Sequence, residues 1–169
     1  MALRKIVKYG DPVLRRKLPL VKIVDREILK LIDDMFETMY HAPGIGLAAN
    51  QIGVPLSLAV IDIQPGGKMA PLVLINPQIV EMKGKIFEEE GCLSIPGFLS
   101  GVKRAVTTRV SAINENGLPV TYVGEGLLSR AFQHETDHLN GKFYIDHVPF
   151  LKRWKIKSEI RKRKKIGMW

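Results

Sequence analysis

The sequence lacks several features that define whole classes of protein. Its 169 residues contain one cysteine, Cys92, so an internal disulfide cannot form. No apolar run approaches the roughly 18 residues that a membrane-spanning helix needs. The basic start meets Tyr9-Gly10-Asp11-Pro12 before the apolar core of an export signal develops. These absences argue against a disulfide scaffold, a membrane partner and export, and they predict a protein of the reducing cytoplasm.

The remaining composition is that of an ordinary globular protein, with 46% hydrophobic and 25% charged residues. A chain of this length can bury roughly 70% of its unfolded surface, so it needs no disulfide to form a core. The net charge of +9 is unevenly distributed, because residues 151–169 contain nine Lys or Arg and one Glu and so carry +8 of it. We therefore expect one domain, with a nearly neutral body over residues 1–150 and a basic C-terminal helix over residues 151–169.

Hydrophobic periodicity predicts three helices. The first is expected to begin after Asp25, which can cap it, and to end near Tyr40, because apolar residues recur at three- and four-residue spacing between them. The second is expected over residues 125–140, with Gly141 just beyond its end. A third, basic helix is expected from Phe150 onward.

Strands are predicted between the first and second helices. The segments rich in Val, Ile and Leu are bounded by Pro and Gly, and two of them flank Asn116-Gly117, a dipeptide suited to a tight hairpin turn. The predicted strands are residues 56–63, 72–82, 107–114 and 118–123. The order of helix, strands and further helices predicts an α+β fold.

The second predicted helix carries the strongest chemical signal, the sequence Gln-His-Glu-Thr-Asp-His over residues 133–138. His134 and His138 stand one turn apart on one helix face, where their imidazoles can bind a single cation. Glu135 lies about 100° round the helix from His134, a position that suits a general base better than a ligand. A catalytic metal usually has three protein ligands. The candidates for the third ligand are Cys92, a distal acid, His41 and His147.

Two further segments contain residues that could act beside such a metal. Cys92 lies in Glu90–Ser94, next to Gly91, where the missing side chain lets backbone approach closely. The segment Gly44–Gln51 is rich in small residues but lacks the lysine of a phosphate-binding loop. Its last residue, Gln51, offers a side-chain amide that can donate to an oxyanion.

Taken together, the three segments resemble the signatures of peptide deformylases. These signatures are Gly-apolar-Gly-apolar-Ala-Ala-x-Gln, Glu-Gly-Cys-Leu-Ser and Gln-His-Glu-x-x-His, and they occur here in that order as Gly44–Gln51, Glu90–Ser94 and Gln133–His138. The opening residues Ile6 and Gly10-Asp11-Pro12 also resemble the start of the family, and the resemblance spans residues 1 to about 150. It implies a single catalytic domain in which antiparallel or mixed sheets surround a central metal-binding helix, with N-terminal and C-terminal helices.

The resemblance also implies an activity, the removal of the N-terminal formyl group from formyl-methionyl nascent chains with release of formate. It implies that Cys92, His134 and His138 bind one divalent metal per chain. Glu135 would be the general base, while the Gln51 amide and the Leu93 backbone N–H would meet the developing oxyanion. The donor set alone favours zinc, whereas the resemblance implies Fe²⁺, with Ni²⁺ or Co²⁺ able to replace it and Zn²⁺ giving poor activity.

Further residues are expected around this site. The resemblance implies that the substrate lies extended against Ile45-Gly46 and Gly91. Glu90 and Asp137 are candidates to orient the imidazoles. Two positions depart from the family, which often has apolar residues four before the cysteine and four before the first histidine, where this chain has Glu88 and Arg130. We expect these two to pair at the rim of the methionine pocket, with Leu127 and Ala131 supplying apolar lining.

Two other functions compete with this interpretation. A zinc endopeptidase could use the same two-histidine helix with a third ligand downstream, for which the candidates are Asp146, His147 and Glu159. A nucleic-acid-binding module could use the basic tail. The nearly neutral body and the absence of interleaved aromatic and basic residues outside the tail argue against DNA binding.

The basic tail poses a separate question. We expect the start of its helix, through Leu151, Trp154 and Ile156, to dock on the body. The positive charge beyond Lys157 suits contact with ribosomal RNA phosphates near the point where formylated chains emerge, and the resemblance supports such a role.

Overall fold

The computed structural model describes residues 2–169 and confirms the predicted α+β fold. Three α-helices and seven strands make up its regular structure. The helices are α1 (Arg26–His41), α2 (Gly126–Leu139) and α3 (Phe150–Lys165), and the strands are β1 (Gly46–Ala48), β2 (Leu58–Ile61), β3 (Leu72–Lys83), β4 (Ile86–Cys92), β5 (Ile95–Arg104), β6 (Thr107–Ile113) and β7 (Pro119–Glu125).

The strands form two sheets whose pairs are all antiparallel. Five strands make one sheet in the order β1-β2-β3-β6-β7, and β4 pairs with β5 in a separate two-stranded sheet. The hairpin of β6 and β7 turns at Asn116-Gly117 as predicted, and Gly117 adopts a φ of +75°, which a side chain would disfavour. The β4–β5 hairpin was not predicted from the sequence, because the charged strand β4 shows no clear alternation of apolar and polar residues.

Strand β2 shows how the five-stranded sheet separates two helices. Its four residues are all buried, and successive side chains point to opposite faces. Leu58 and Val60 pack in one core cluster with Met35 and Met39 of α1. Ala59 and Ile61 pack in the other, with residues of α2 that include Phe132. Helix α2 therefore packs on the opposite face of the large sheet from α1.

Helix α1 begins where the sequence predicted. The Asp25 side chain accepts hydrogen bonds from the backbone N–H groups of Glu27 and Ile28, both at 3.0 Å. Such a cap contributes about 1 kcal/mol to helix stability. The predicted helical face then buries Leu31, Met35 and Met39.

Helix α3 begins at Phe150 as predicted, and of the three residues expected to dock on the body only Ile156 does so. Ile160 is buried in a cluster with Leu14 and Ile95, and Ile156 packs against that cluster. Leu151 and Trp154, which we expected to dock, are 72% and 54% exposed. Ile156 and Ile160 are four residues apart and therefore lie on the same face of the helix, which is the face that packs on the body.

Within residues 2–169, the structure has no helix that is both long enough and apolar enough to cross a membrane.

Candidate metal centre

The three segments singled out in the sequence meet at one point of the fold. Helix α2 places His134 above His138 with their Nε2 atoms 3.2 Å apart. Cys92, the last residue of β4, brings its Sγ to 3.2 Å from His138 Nε2. The candidate ligand atoms of these three residues all lie within 4.8 Å of one another. A thiolate and two imidazoles are a donor set that fits a divalent transition metal.

The other candidates for a third ligand lie elsewhere. His147 contacts the Asp137 carboxylate at 2.7 Å instead of the cluster. His41 is the exposed last residue of α1. Over residues 2–169, the group of Cys92, His134 and His138 is the one set of three His, Cys, Asp or Glu side chains close enough to bind a metal.

A buried carboxylate orients one of the imidazoles. His134 Nδ1 lies 3.1 Å from Glu90 Oε2, so a proton on Nδ1 can be donated to the carboxylate while Nε2 faces the cluster. Burial by itself would raise the pKa of Glu90, but its hydrogen bonds to His134 and Arg104 outweigh burial and lower that pKa to about 2. Glu90 is therefore an anion at neutral pH.

Arg104, the last residue of β5, belongs to this site although the sequence did not indicate it. Its Nε and Nη2 donate to the two carboxylate oxygens of Glu90 at 2.8 and 3.0 Å. Its Nη1 donates to Asp137 Oδ2 at 2.7 Å, and Asp137 also contacts His147. Burial opposes the charge on Asp137, but the hydrogen bonds to His147 and Arg104 hold its pKa below the usual range. No sequence motif marks Arg104, because its partners are 14 and 33 residues away.

Glu135 has no such partner. Its side chain is buried, Oε2 has no hydrogen-bond partner, and desolvation raises its pKa to about 7. The carboxylate lies directly against Gly46 of β1, where an added Cβ would overlap it. A glycine is therefore needed at position 46 to leave room for the Glu135 side chain, whether or not a substrate also lies against it. A carboxyl group with a pKa near 7 can accept and release a proton at neutral pH.

Gln51 is held beside the cluster in a fixed orientation. It lies in a short 3₁₀ helix, residues Ala49–Ile52, that follows β1 directly. Its Oε1 accepts a hydrogen bond from the Ala48 N–H at 2.9 Å, which aims Nε2 at Ser94 Oγ (3.2 Å) and Cys92 Sγ (3.5 Å). An amide donor therefore lies within reach of a ligand or substrate bound at the cluster.

A cavity of about 580 Å³ opens beside these side chains. Most of the predicted substrate residues line it, but Leu127 and Glu88 do not. Leu127 lies in the first turn of α2, about 10 Å along the helix from His134, and is 37% exposed. The lining includes Ile45, Gly46, Gln51, Gly91, Cys92, Leu93, Arg130, Ala131, His134 and Glu135, together with Pro43, Phe98 and Leu99, which the sequence did not indicate.

Arg130 and Glu88 meet at the edge of this cavity. The Arg130 guanidinium hydrogen-bonds the Glu88 carboxylate and also reaches the Glu89 carbonyl oxygen at 3.5 Å. Glu88 is thus connected to the cavity through Arg130. The side chain of Arg130 is 20% exposed and that of Glu88 is 44% exposed, so the pair is open to solvent on one side.

Comparison with known proteins agrees with this geometry. The family model described as polypeptide deformylase matches residues 3–154. Peptide deformylase from Nitrosococcus oceani is 48% identical over 167 residues, covering 99% of both chains. Peptide deformylase from Aquifex aeolicus is 47% identical and covers 96% of both chains.

Solved structures give the same result. A peptide deformylase from Legionella pneumophila is 45% identical, covers 98% of both chains and superimposes with a TM-score of 0.91. The enzyme from Synechococcus elongatus, solved in complex with actinonin, is 42% identical, with a TM-score of 0.87 over 95% of this chain and 88% of its own. This chain therefore belongs to the peptide deformylase family, whose members are metal-dependent hydrolases that remove the N-terminal formyl group from nascent polypeptides.

Proposed function

We propose that this deformylase acts on formyl-methionyl nascent chains at one divalent metal ion held by Cys92, His134 and His138. The observation that carries the ligand assignment is the approach of one sulfur and two Nε2 atoms from β4 and α2. When bound, such an ion polarises the formyl carbonyl and lowers the pKa of a water molecule. Because formylated chains emerge from ribosomes, the proposal implies a cytoplasmic enzyme.

For the identity of the ion we propose Fe²⁺, with Ni²⁺ or Co²⁺ as functional replacements. The sulfur and imidazole donors by themselves also suit Zn²⁺. The resemblance to deformylases supports the choice of iron, since ligand type discriminates poorly among these divalent ions.

Glu135 is the general base in this proposal. Its buried carboxylate lines the cavity beside His134, and its raised pKa suits it to take a proton from the attacking water and to return that proton to the leaving amine. Contact with Gly46 fixes its position. The free Oε2 leaves one oxygen available for the proton.

Two donors are assigned to the developing oxyanion, the Gln51 side-chain amide and the Leu93 backbone N–H. Gln51 Nε2 is aimed at the cluster by the bond that Oε1 accepts from Ala48. Leu93 follows Cys92 directly and lines the same cavity. A preorganised donor of this kind is typically worth about 3 kcal/mol in the transition state.

The substrate backbone is proposed to lie between Ile45-Gly46 on one side and Gly91 on the other, with Ala131 against the first side chain. All four residues line the cavity. Arg130 and Glu88 then form a charged rim to the pocket for that side chain. A half-exposed ion pair contributes about 0–1 kcal/mol, so its effect falls on selectivity more than on stability.

The basic surface of α3 is proposed to contact ribosomal RNA phosphates. Lys152, Arg161 and Lys165 are exposed along it, while Ile160 anchors the helix to the body. Truncation at residue 157 would be a poor test, because it would remove Ile160 and uncover the cluster around Leu14. Neutralising exposed charges leaves that packing in place.

The first prediction tests the ligands and the ion. Cys92→Ala should lose the metal, whereas His41→Ala, which changes an exposed candidate, should keep about one ion per chain by elemental analysis. Wild-type apoprotein reloaded without air should release formate from formyl-Met-peptide faster with Fe²⁺ or Ni²⁺ than with Zn²⁺. A Cys92→Ala protein that retains its metal would favour the endopeptidase alternative, and a zinc form as active as the iron form would contradict the choice of iron.

The second prediction separates base from ligand. Glu135→Gln should keep the metal but lower kcat at least about a hundredfold, the low end of general acid–base contributions. His134→Ala should lose the metal itself. Glu125→Gln, an exposed carboxylate at the start of the same helix, is the matched control and should leave kcat unchanged. Near-normal kcat in Glu135→Gln would remove this residue from the mechanism.

The third prediction concerns the charged rim. Arg130→Ile should sharpen the preference for formyl-methionine over formyl-serine by up to about fivefold in kcat/KM, which corresponds to the upper value of an exposed pair. Arg109→Ile removes another arginine paired with a glutamate, Glu81, neither of which lines the cavity, and should not change the ratio. An equal ratio in both variants would show that the rim does not select the first residue.

The fourth prediction concerns the ribosome. Replacing Lys152, Arg161 and Lys165 together with Gln should reduce co-sedimentation with ribosomes at low salt and flatten its salt dependence, because phosphate contacts release counterions. A triple variant of exposed lysines on the body, Lys22, Lys30 and Lys68, is the control. Hydrolysis of a short formyl-peptide should be unchanged in both. Equal ribosome binding in the two variants would leave the tail with no role in attachment.

A further inference from the structure

A buried network of charged side chains lies behind the metal centre. Its hub is Arg104, whose side chain is 4% exposed and contacts the carboxylates of Glu90 and Asp137. Glu90 in turn contacts His134, a proposed metal ligand, and Asp137 contacts the more exposed His147. The mechanism proposed above does not use Arg104.

We propose that Arg104 is a positioning residue that fixes the two ligand-bearing elements, β4 and α2, in the register that metal binding requires. This inference rests on the proposed ligand set. Glu90 lies two residues before Cys92 on β4, and Asp137 directly precedes His138 on α2. One guanidinium thus connects the strand that carries the sulfur to the helix that carries both imidazoles.

The contacts to Glu90 act on His134. With both carboxylate oxygens held by Arg104, Oε2 is fixed where it accepts the Nδ1 hydrogen of His134. The ring is then turned so that Nε2 faces Cys92 and His138. Residues that orient a ligand in this way typically change metal affinity by about 10- to 100-fold when they are mutated.

The geometry requires an arginine. Three separate N–H groups are used, Nε and Nη2 toward Glu90 and Nη1 toward Asp137, and a planar guanidinium presents them in fixed directions. A lysine could supply the positive charge but not a planar set of N–H groups in fixed directions. With neither, Glu90 and Asp137, whose side chains are only 4% and 17% exposed, would both lose their arginine partner.

Cobalt binding tests this role without relying on turnover. Apoproteins of the wild type, Arg104→Lys, Arg104→Gln and the control Arg109→Gln are titrated with Co²⁺ in competition with a chelator. The visible spectrum of the thiolate-bound ion is recorded at saturation. We expect Co²⁺ affinity to fall by about 10- to 100-fold in Arg104→Gln, less in Arg104→Lys, and the band positions to shift in both. Arg109→Gln, which loses an exposed contact to Glu81, should match the wild type.

The outcomes separate positioning from general stability. Far-UV circular dichroism and urea unfolding identify the variants that fold. If Arg104→Gln does not fold, Arg104→Lys, which keeps the buried positive charge, decides instead, and it should still bind Co²⁺ more weakly. Folded Arg104 variants with wild-type affinity and spectrum would overturn the inference. Wild-type protein that binds no Co²⁺ at Cys92 would instead overturn the proposed ligand set.

Discussion

Helix α2 buries a run of polar side chains, and the packing around it is arranged to accommodate them. This helix is packed between the large sheet and the β4–β5 hairpin, yet it carries Gln133, His134, Glu135, Asp137 and His138. Buried polar groups without partners cost on the order of 1–3 kcal/mol each, so the surrounding elements must supply partners. The Gln133 side-chain amide accepts a hydrogen bond from the Ala105 N–H at 3.0 Å and donates one to the Ala105 carbonyl at 3.1 Å. Asn50 donates to the His138 carbonyl at 2.8 Å.

These partners also explain why α2 cannot slide or rotate. The Gln133 bonds hold the helix to the segment between β5 and β6, and the Arg104 bonds hold it to the end of β5. Both attachments lie close to the β4 strand that bears Cys92. Two histidines on a helix are therefore placed against a cysteine on a strand with little freedom, which is the condition for a preorganised metal site.

Glu135 is one of the α2 residues that keep a polar atom without a partner. The fold leaves Glu135 Oε2 buried with no hydrogen-bond partner, as it does Thr136 Oγ1 and His138 Nδ1. It also excludes a side chain at Gly46 to make room for the carboxylate. Local rules of polar satisfaction are commonly violated at functional sites and compensated elsewhere. Here the well-packed cores on both faces of β2 provide that compensation.

The features that depend on neighbours along the chain could be predicted from the residues alone. Helical period placed His134 and His138 on one face, the Asp25 cap set the start of α1, and Asn116-Gly117 set the turn between β6 and β7. The resemblance to deformylases added the family and the role expected of Cys92. Residue types alone left His41 and His147 open as ligands, since either could reach the metal in some fold. Other features appear only in the folded molecule: β4 carries Cys92 to the cluster, Arg104 joins Glu90 to Asp137, Leu127 lies outside the cavity, and Ile160 anchors α3. They could not be predicted because they depend on residues distant in sequence, whose geometry is set by how the helices and sheets pack together.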